Sequence, residues 1–162
     1  MSQQDPIRLF VAHAWQESDD YHRVFEYLES ARNFRYRNTS RTDVRPAGGL
    51  ESERDSLRLQ IGDAEIVIAP TSLYRHDPEL LLFQLEHARQ NGKPVLLIKP
   101  FGLNTVVPAA VMALADRVIG WNEREIIDAI RQLARQESTD RYETVEFSPD
   151  DFAEFKDFKV RR

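Results

Sequence analysis

The chain has 162 residues, of which 41% are hydrophobic and 30% are charged, and it contains no cysteine. This composition suits one hydrophobic core and excludes a disulfide framework or a thiolate metal site. The formal net charge of −5 argues against a nucleic-acid partner. No apolar run reaches the roughly 20 residues that span a bilayer, and the first residues are polar, so we expect a cytoplasmic protein without membrane contact.

The first half of the chain predicts three strands and two helices. Ser18 can cap a helix whose first turn carries Asp19 and Asp20, since carboxylates favour the positive end of the helix dipole. A polar segment with proline and two glycines predicts a loop over 40–49. The predicted strands cover residues 7–12, 35–39 and 65–69, and the second helix covers 50–61.

The second half predicts two further helices and two further strands. Asp77 followed by Pro78 is typical of a helix start, and Gly92 is typical of the residue just beyond a helix end. Asn122 with Glu125 three residues later indicates another start. The predicted strands cover residues 95–98 and 117–119.

Five strands, mostly separated by helices, predict an α/β fold with a five-stranded parallel sheet, helices on both faces and the flavodoxin-like order 2-1-3-4-5. Ligands of such sheets bind beyond the carboxyl ends of the strands, where the strand order reverses. That rule places a site near residues 13–15 and 70–74. Residues 1–136 form the predicted domain, and residues 137–162 form an extension expected to pack on it or at a subunit contact.

The sequence lacks the residues that several other proteins of this topology use for their chemistry. A phosphorylation receiver needs acidic residues after the first strand and an aspartate after the third, but those places hold 12–14 (AHA) and 69–71 (APT). The chain has neither a GxxxxGK[ST] loop nor a GxGxxG turn after the first strand. Its four histidines show no ligand spacing, so we expect no metal site.

Five segments follow one another in a pattern known from other proteins. They are 9–15 (LFVAHAW), 34–40 (FRYRNTS), 61–68 (IGDAEIVI), 92–95 (GKPV) and 118–122 (VIGWN). Together they resemble the strand motifs of bacterial TIR-like proteins, especially the branch that includes the TIR component of Thoeris antiphage systems. The resemblance covers about residues 7–133.

The resemblance implies an activity and a central residue. Catalytic TIR domains carry a glutamate on the helix after the third strand, commonly as Trp-x-x-x-Glu, and the matching residue here is Glu86, with Leu82 at the tryptophan position. The implied reaction consumes NAD as substrate, without a cofactor. It cleaves the nicotinamide–ribose bond to give ADP-ribose or a cyclic or conjugated derivative, an antiphage signal for a downstream effector.

One carboxylate is sufficient for such a cleavage. Ordinary glycosidases use two carboxyl groups because their leaving group must be protonated. The nicotinamide of NAD is cationic when bound and leaves as a neutral molecule. A single carboxylate that offsets the positive charge developing on the ribose is therefore enough.

The residues after the first three strands are the expected substrate-binding groups. The ring of His13 or Trp15 can stack on a base, while Asn38, Ser40, Ser72 and Tyr74 can contact ribose or phosphate. The full expected set is His13, Ala14, Trp15, Asn38, Ser40, Ser72, Tyr74 and Leu82. The resemblance implies that the 41–49 loop mediates self-association, and the C-terminal tail, which the resemblance does not cover, is the other segment expected to do so.

Two other interpretations stay open. The same fold can work as a non-catalytic interaction or adaptor module, which Leu82 in place of tryptophan favours. Nucleoside deoxyribosyltransferases also place a glutamate on a helix before a Gly-Lys-Pro-Val-like segment, although residues 80–83 (LLLF) do not resemble their approach to that glutamate.

Overall fold

The computed structural model describes residues 5–102 and 106–136, together with two short paired strands, Ala153–Glu154 and Lys156–Asp157. Apart from these four residues, the 137–162 extension lies outside the described residues, so its packing stays a prediction. The main strands are β1 Ile7–Val11, β2 Tyr36–Asn38, β3 Ile66–Pro70, β4 Val95–Ile98 and β5 Arg117–Ile119. The helices are α1 Asp19–Ser30, α2 Leu50–Gly62, α3 Leu73–His76, α4 Pro78–Gln90, α5 Ala109–Met112 and α6 Glu123–Arg135.

The five main strands form one parallel sheet in the order β2-β1-β3-β4-β5, which confirms the predicted α/β fold and strand order. Leu9 of β1 lies opposite Asn38 on one side and Ile66 on the other. The order reverses between β1 and β3, so the chain segments after these two strands meet at one edge of the sheet.

Side chains that alternate along the strands form two cores, one on each face of the sheet. On one face, Phe10, Val67 and Leu97 pack with side chains of α2 and α4. On the other, Leu9, Ile68 and Leu96 pack with side chains of α1 and α6. Because both faces are covered, the strands consist of nearly continuous apolar runs.

The predicted helix starts agree with the hydrogen bonds at the helix ends. Ser18 accepts from the backbone N–H of Tyr21, Asp77 from that of Leu80, and Asn122 from that of Glu125. The short helices α3 and α5 were not predicted, since four residues are too few to show a helical period. No helix within the described residues is long and apolar enough to cross a membrane.

Candidate functional site

A cleft of about 590 Å³ lies beyond the carboxyl ends of β1 and β3. Its walls come from the segment after β1, the start of α1, the 41–49 loop and the segment between β3 and α4. Besides His13, the polar and charged side chains along it are Gln16, Ser18, Asp19, Arg45, Ser72, His76 and Asp77. The cleft therefore offers hydroxyl, amide, carboxylate and guanidinium groups to a ligand.

His13 lies against this cleft, but its ring is occupied within the protein. The residue is only 2% exposed. Its Nδ1 accepts a hydrogen bond from the backbone N–H of Trp15 at 3.0 Å, so the ring proton is on Nε2, which donates to Oε1 of Gln60 at 3.1 Å. Burial lowers the pKa of His13, although its hydrogen bond with Gln60 acts in the opposite direction. His13 is therefore a neutral linker between two backbone segments.

Gln84 is the α4 side chain that contacts the segment after β1, and sequence analysis missed it. It is fully buried, and its Oε1 accepts from the backbone N–H of His13 at 3.1 Å. Its Nε2 donates to the carbonyl oxygens of His13 at 2.9 Å and of Leu80 at 3.1 Å. The available signal was a polar residue on the apolar face formed by Leu81, Leu85 and Ala88.

Glu86 lies on the opposite side of the same helix. It is exposed, and it is separated from Gln84 by two positions, or about 200° of helical rotation. It does not line the strand-end cleft or the smaller pocket beside Trp15. Helical spacing puts Glu79 and Leu82, seven and four residues earlier, on the side of α4 that carries Glu86. Glu79 is exposed and lines that smaller pocket, while Leu82 is half-buried against the apolar core.

Asn38 and Ser40 form a closed hydrogen-bonded group with Tyr21 of α1. The Tyr21 hydroxyl and Ser40 Oγ are 2.8 Å apart, and Asn38 Nδ2 donates to the Tyr21 hydroxyl at 3.3 Å. Asn38 Oδ1 accepts from the backbone N–H and from the hydroxyl of Ser40. These polar atoms thus hold the end of β2 against α1, and neither Asn38 nor Ser40 lines the cleft.

Ser72 and Tyr74 have different positions after β3. Ser72 lines the cleft, where its hydroxyl donates to Oδ2 of the buried Asp20 at 2.8 Å. The other carboxylate oxygen of Asp20 pairs with Arg23 at 2.5 Å. Tyr74 is half-buried and packs against the core cluster that contains Trp15.

Of the expected site residues, the structure brings some to one place. His13, Ala14 and Ser72 line the strand-end cleft, and Ala14 and Trp15 line the smaller pocket next to it.

Among the residues of 5–102 and 106–136, no group of histidine and carboxylate side chains is arranged to hold a metal ion.

The 41–49 loop is connected to His13 through Gln60 of α2. Gln60 Oε1 accepts from the backbone N–H of Arg41 at 2.8 Å as well as from His13. Gln60 Nε2 donates to the carbonyl oxygen of Arg41 at 3.3 Å. Further along the loop, Arg45 pairs with Glu53 at 2.9 Å. The start of this loop therefore has a position fixed by the segment after β1.

The contrast between Gln84 and Glu86 leads to a stability prediction. We expect Gln84→Ala to lower the free energy of unfolding by about 2–4 kcal/mol, because it leaves the backbone N–H and C=O of His13 buried without their partner. Glu86→Ala on the same helix should leave the value nearly unchanged. Urea unfolding of both variants measures the difference, and equal losses would contradict the assigned role of Gln84.

The buried His13 leads to a pH prediction. Its pKa in the folded state is lowered, so below its ordinary value of about 6.5 the unfolded chain binds the proton first. Above that pH, His13 is neutral in both states and does not change the free energy of unfolding. Below that pH, the free energy of unfolding decreases as the pH falls.

The corresponding measurement is the free energy of unfolding as a function of pH for wild type and His13→Asn. The variant should lose less stability on acidification. His87→Asn is the comparison, since burial also lowers the pKa of His87, with Arg58 and Lys93 contributing, but that residue is only half-buried. An unchanged slope in His13→Asn would show that His13 is not the titrating group.

The chain matches no protein-family model and no curated protein sequence.

Proposed function

We propose that this protein is a non-catalytic interaction module of TIR-like type, which works through assembly and does not cleave NAD with Glu86. The observation that supports this proposal is the pair of side chains on α4. Gln84, a neutral amide, contacts the segment after β1, whereas Glu86 is exposed on the other side of the helix.

The chemistry of the cleavage explains why this pair matters. Positive charge develops on the ribose as nicotinamide leaves, so a carboxylate must lie close to the ribose. The amide of Gln84 carries no net charge, and its oxygen and nitrogen are both engaged with backbone groups. It cannot replace a carboxylate in this role.

The 41–49 loop and the start of α2 supply the surface for assembly. Val44 is 38% exposed and Leu50 is 59% exposed, although both are large apolar residues. Val44 lies on the loop that the resemblance assigns to assembly, and Leu50 begins the helix that follows it. We assign this surface to a second copy of the same chain, and the module to the cytoplasm and to antiphage defence, as the resemblance implies.

NAD cleavage stays a second candidate because two carboxylates, Asp19 and Asp77, line the cleft. Asp77 is engaged as the cap of α4, whereas Asp19 is exposed in the first turn of α1. In this alternative, Asp19 takes the part assigned to Glu86 by resemblance. The product would then be a signal for a downstream effector.

The first test is incubation of the purified, concentrated protein with NAD, followed by chromatographic measurement of nicotinamide. We expect no release beyond that of NAD alone, for wild type and for Glu86→Gln. Nicotinamide release that Glu86→Gln abolishes would overturn the proposal. Release that Asp19→Asn abolishes, while Glu86→Gln leaves it intact, would establish the second candidate.

The second test is sedimentation velocity over a range of protein concentrations. Leu50→Gln should shift the chain toward monomer, because it removes exposed apolar area from the proposed contact. Leu59→Gln is the matched control, since Leu59 is 75% exposed on the same helix but about 180° away from Leu50. A monomeric wild type, or equal effects of the two variants, would contradict assembly through this surface.

A further inference from the structure

A groove of about 900 Å³ lies at the amino ends of β4 and β5, at the opposite edge of the sheet from the strand-end cleft. The end of α4, the segments that precede the two strands and the end of α6 form its walls. The polar and charged side chains along it are Arg89, Lys93, Asp116, Arg117, Gln132 and Gln136. Since Gln136 directly follows α6, the chain continues from this groove into the 137–162 extension.

The groove carries more positive than negative charge. Arg89 pairs with Asp116 at 2.7 Å, which balances one of the cations. Lys93 Nζ donates to a backbone carbonyl oxygen at 3.2 Å, and Arg117 donates to the side-chain oxygen of Gln132 at 2.7 Å. Both of these acceptors are uncharged. The charges of Lys93 and Arg117 are therefore left for an anion that enters the groove.

Two helix ends oppose this charge without cancelling it. The helices α4 and α6 end at Gln90 and Arg135, so the negative ends of both helix dipoles lie at this edge of the sheet. Each corresponds to about half a negative charge, and its effect decays within one helical turn. Together they offset about one of the two positive charges. The groove still favours an anionic occupant.

The turn at Gln136 fixes the point at which the chain leaves the domain. Gln136 has a φ of 55°, a left-handed conformation, and its backbone N–H donates to the carbonyl oxygen of Arg131. A residue in this conformation ends a helix and turns the chain away from the helix axis. Arg135 pairs with Glu65 at 2.5 Å and so holds the last turn of α6 on the domain. The extension therefore begins at a fixed position in the wall of the groove.

The first ten residues of the extension are acidic in a regular pattern. Residues 137–146 (ESTDRYETVE) contain four carboxylates and one arginine. The carboxylates stand at every third position, as Glu137, Asp140, Glu143 and Glu146. In a chain with three residues per turn, such as polyproline II, this spacing puts them all on one side. One short segment can therefore present several acids to one basic surface.

We propose that the 137–146 segment docks in this groove of its own chain, with its carboxylates against Lys93 and Arg117. Exposed ion pairs are individually weak, but the covalent link at Gln136 keeps the acids at a high effective concentration beside the groove. This contact goes beyond the proposed function and does not depend on it, since the assembly surface around Leu50 lies beside the strand-end cleft.

A nitroxide spin label on the extension tests the contact. The chain has no cysteine, so Thr144→Cys gives a single attachment site within the segment. The label broadens the backbone ¹H–¹⁵N NMR signals of residues near it. The signals of Gly92 and Arg117 in the groove should broaden strongly, while those of Ser18 and Ser72 at the strand-end cleft should keep their intensity. Salt at about 1 M should reduce the broadening, because the Debye length falls to about 3 Å.

Cations at the two edges of the sheet provide a matched pair of double variants. Lys93→Gln with Arg117→Gln removes two positive charges from the groove. Lys99→Gln with Arg124→Gln removes two at the other edge, where both side chains are exposed. The first pair should reduce the broadening of the Gly92 signal about fivefold, whereas the second should leave it within about twofold.

Three outcomes would overturn this inference. They are broadening that salt does not reduce, equal effects of the two double variants, or stronger broadening at the strand-end cleft than in the groove. The dispersion of the NMR signals establishes that each variant is folded. If Arg117→Gln does not fold, Lys93→Gln alone is compared with Lys99→Gln.

A mixed sample separates the chain's own extension from that of a second copy. It contains spin-labelled protein without ¹⁵N and unlabelled wild type with ¹⁵N, so that only contacts between copies broaden a signal. The Gly92 signal should keep its intensity in this mixture. Broadening as strong as in the singly labelled sample would assign the groove to the extension of a second copy and overturn docking within one chain.

Discussion

The strand-end region depends on the pair of hydrogen bonds between Gln84 and the backbone of His13. This amide accepts from the N–H of His13 and donates to its C=O, so it satisfies both polar groups of one buried residue. Without it, the segment after β1 would have two buried backbone groups and no partner for either. The same contact fixes α4 relative to β1, because Gln84 lies on the face of α4 that packs on the sheet. The left-handed backbone of Trp15 lies two residues after this fixed residue.

A series of neutral hydrogen-bonding groups connects the segment after β1 to α2 and to the start of the 41–49 loop. His13 connects to Gln60, and Gln60 holds both the N–H and the C=O of Arg41. The hydrogen bonds of these amide groups fix backbone segments without adding charge. His13 itself is neutral and has both ring nitrogens engaged. These hydrogen bonds therefore hold the segment after β1, α2 and the start of the 41–49 loop together.

Local chemistry explains which parts of this architecture could be predicted from the sequence. Ser18, Asp77 and Asn122 each cap a helix through bonds within three residues, so the pattern itself specifies the contact. Buried parallel strands consist of apolar runs, and the alternation of strands and helices predicts a parallel sheet, here in the order β2-β1-β3-β4-β5. The rotation of α4 could not be predicted in this way. Residues 80–83 are all apolar, and so the pattern does not select the face that meets the sheet. Glu86 was placed by resemblance, while packing puts Gln84 at the site.

The two sides of the segment after β1 differ in how their polar groups are satisfied. Toward Gln60 and Gln84, each donor of His13 has a partner. Toward α2 and Phe83, Trp15 and Arg54 keep unpartnered N–H groups in an apolar wall. An unpartnered buried donor lowers the stability of the folded protein. The polar groups of the segment after β1 are therefore better satisfied on the side of Gln60 and Gln84 than on the side of α2 and Phe83.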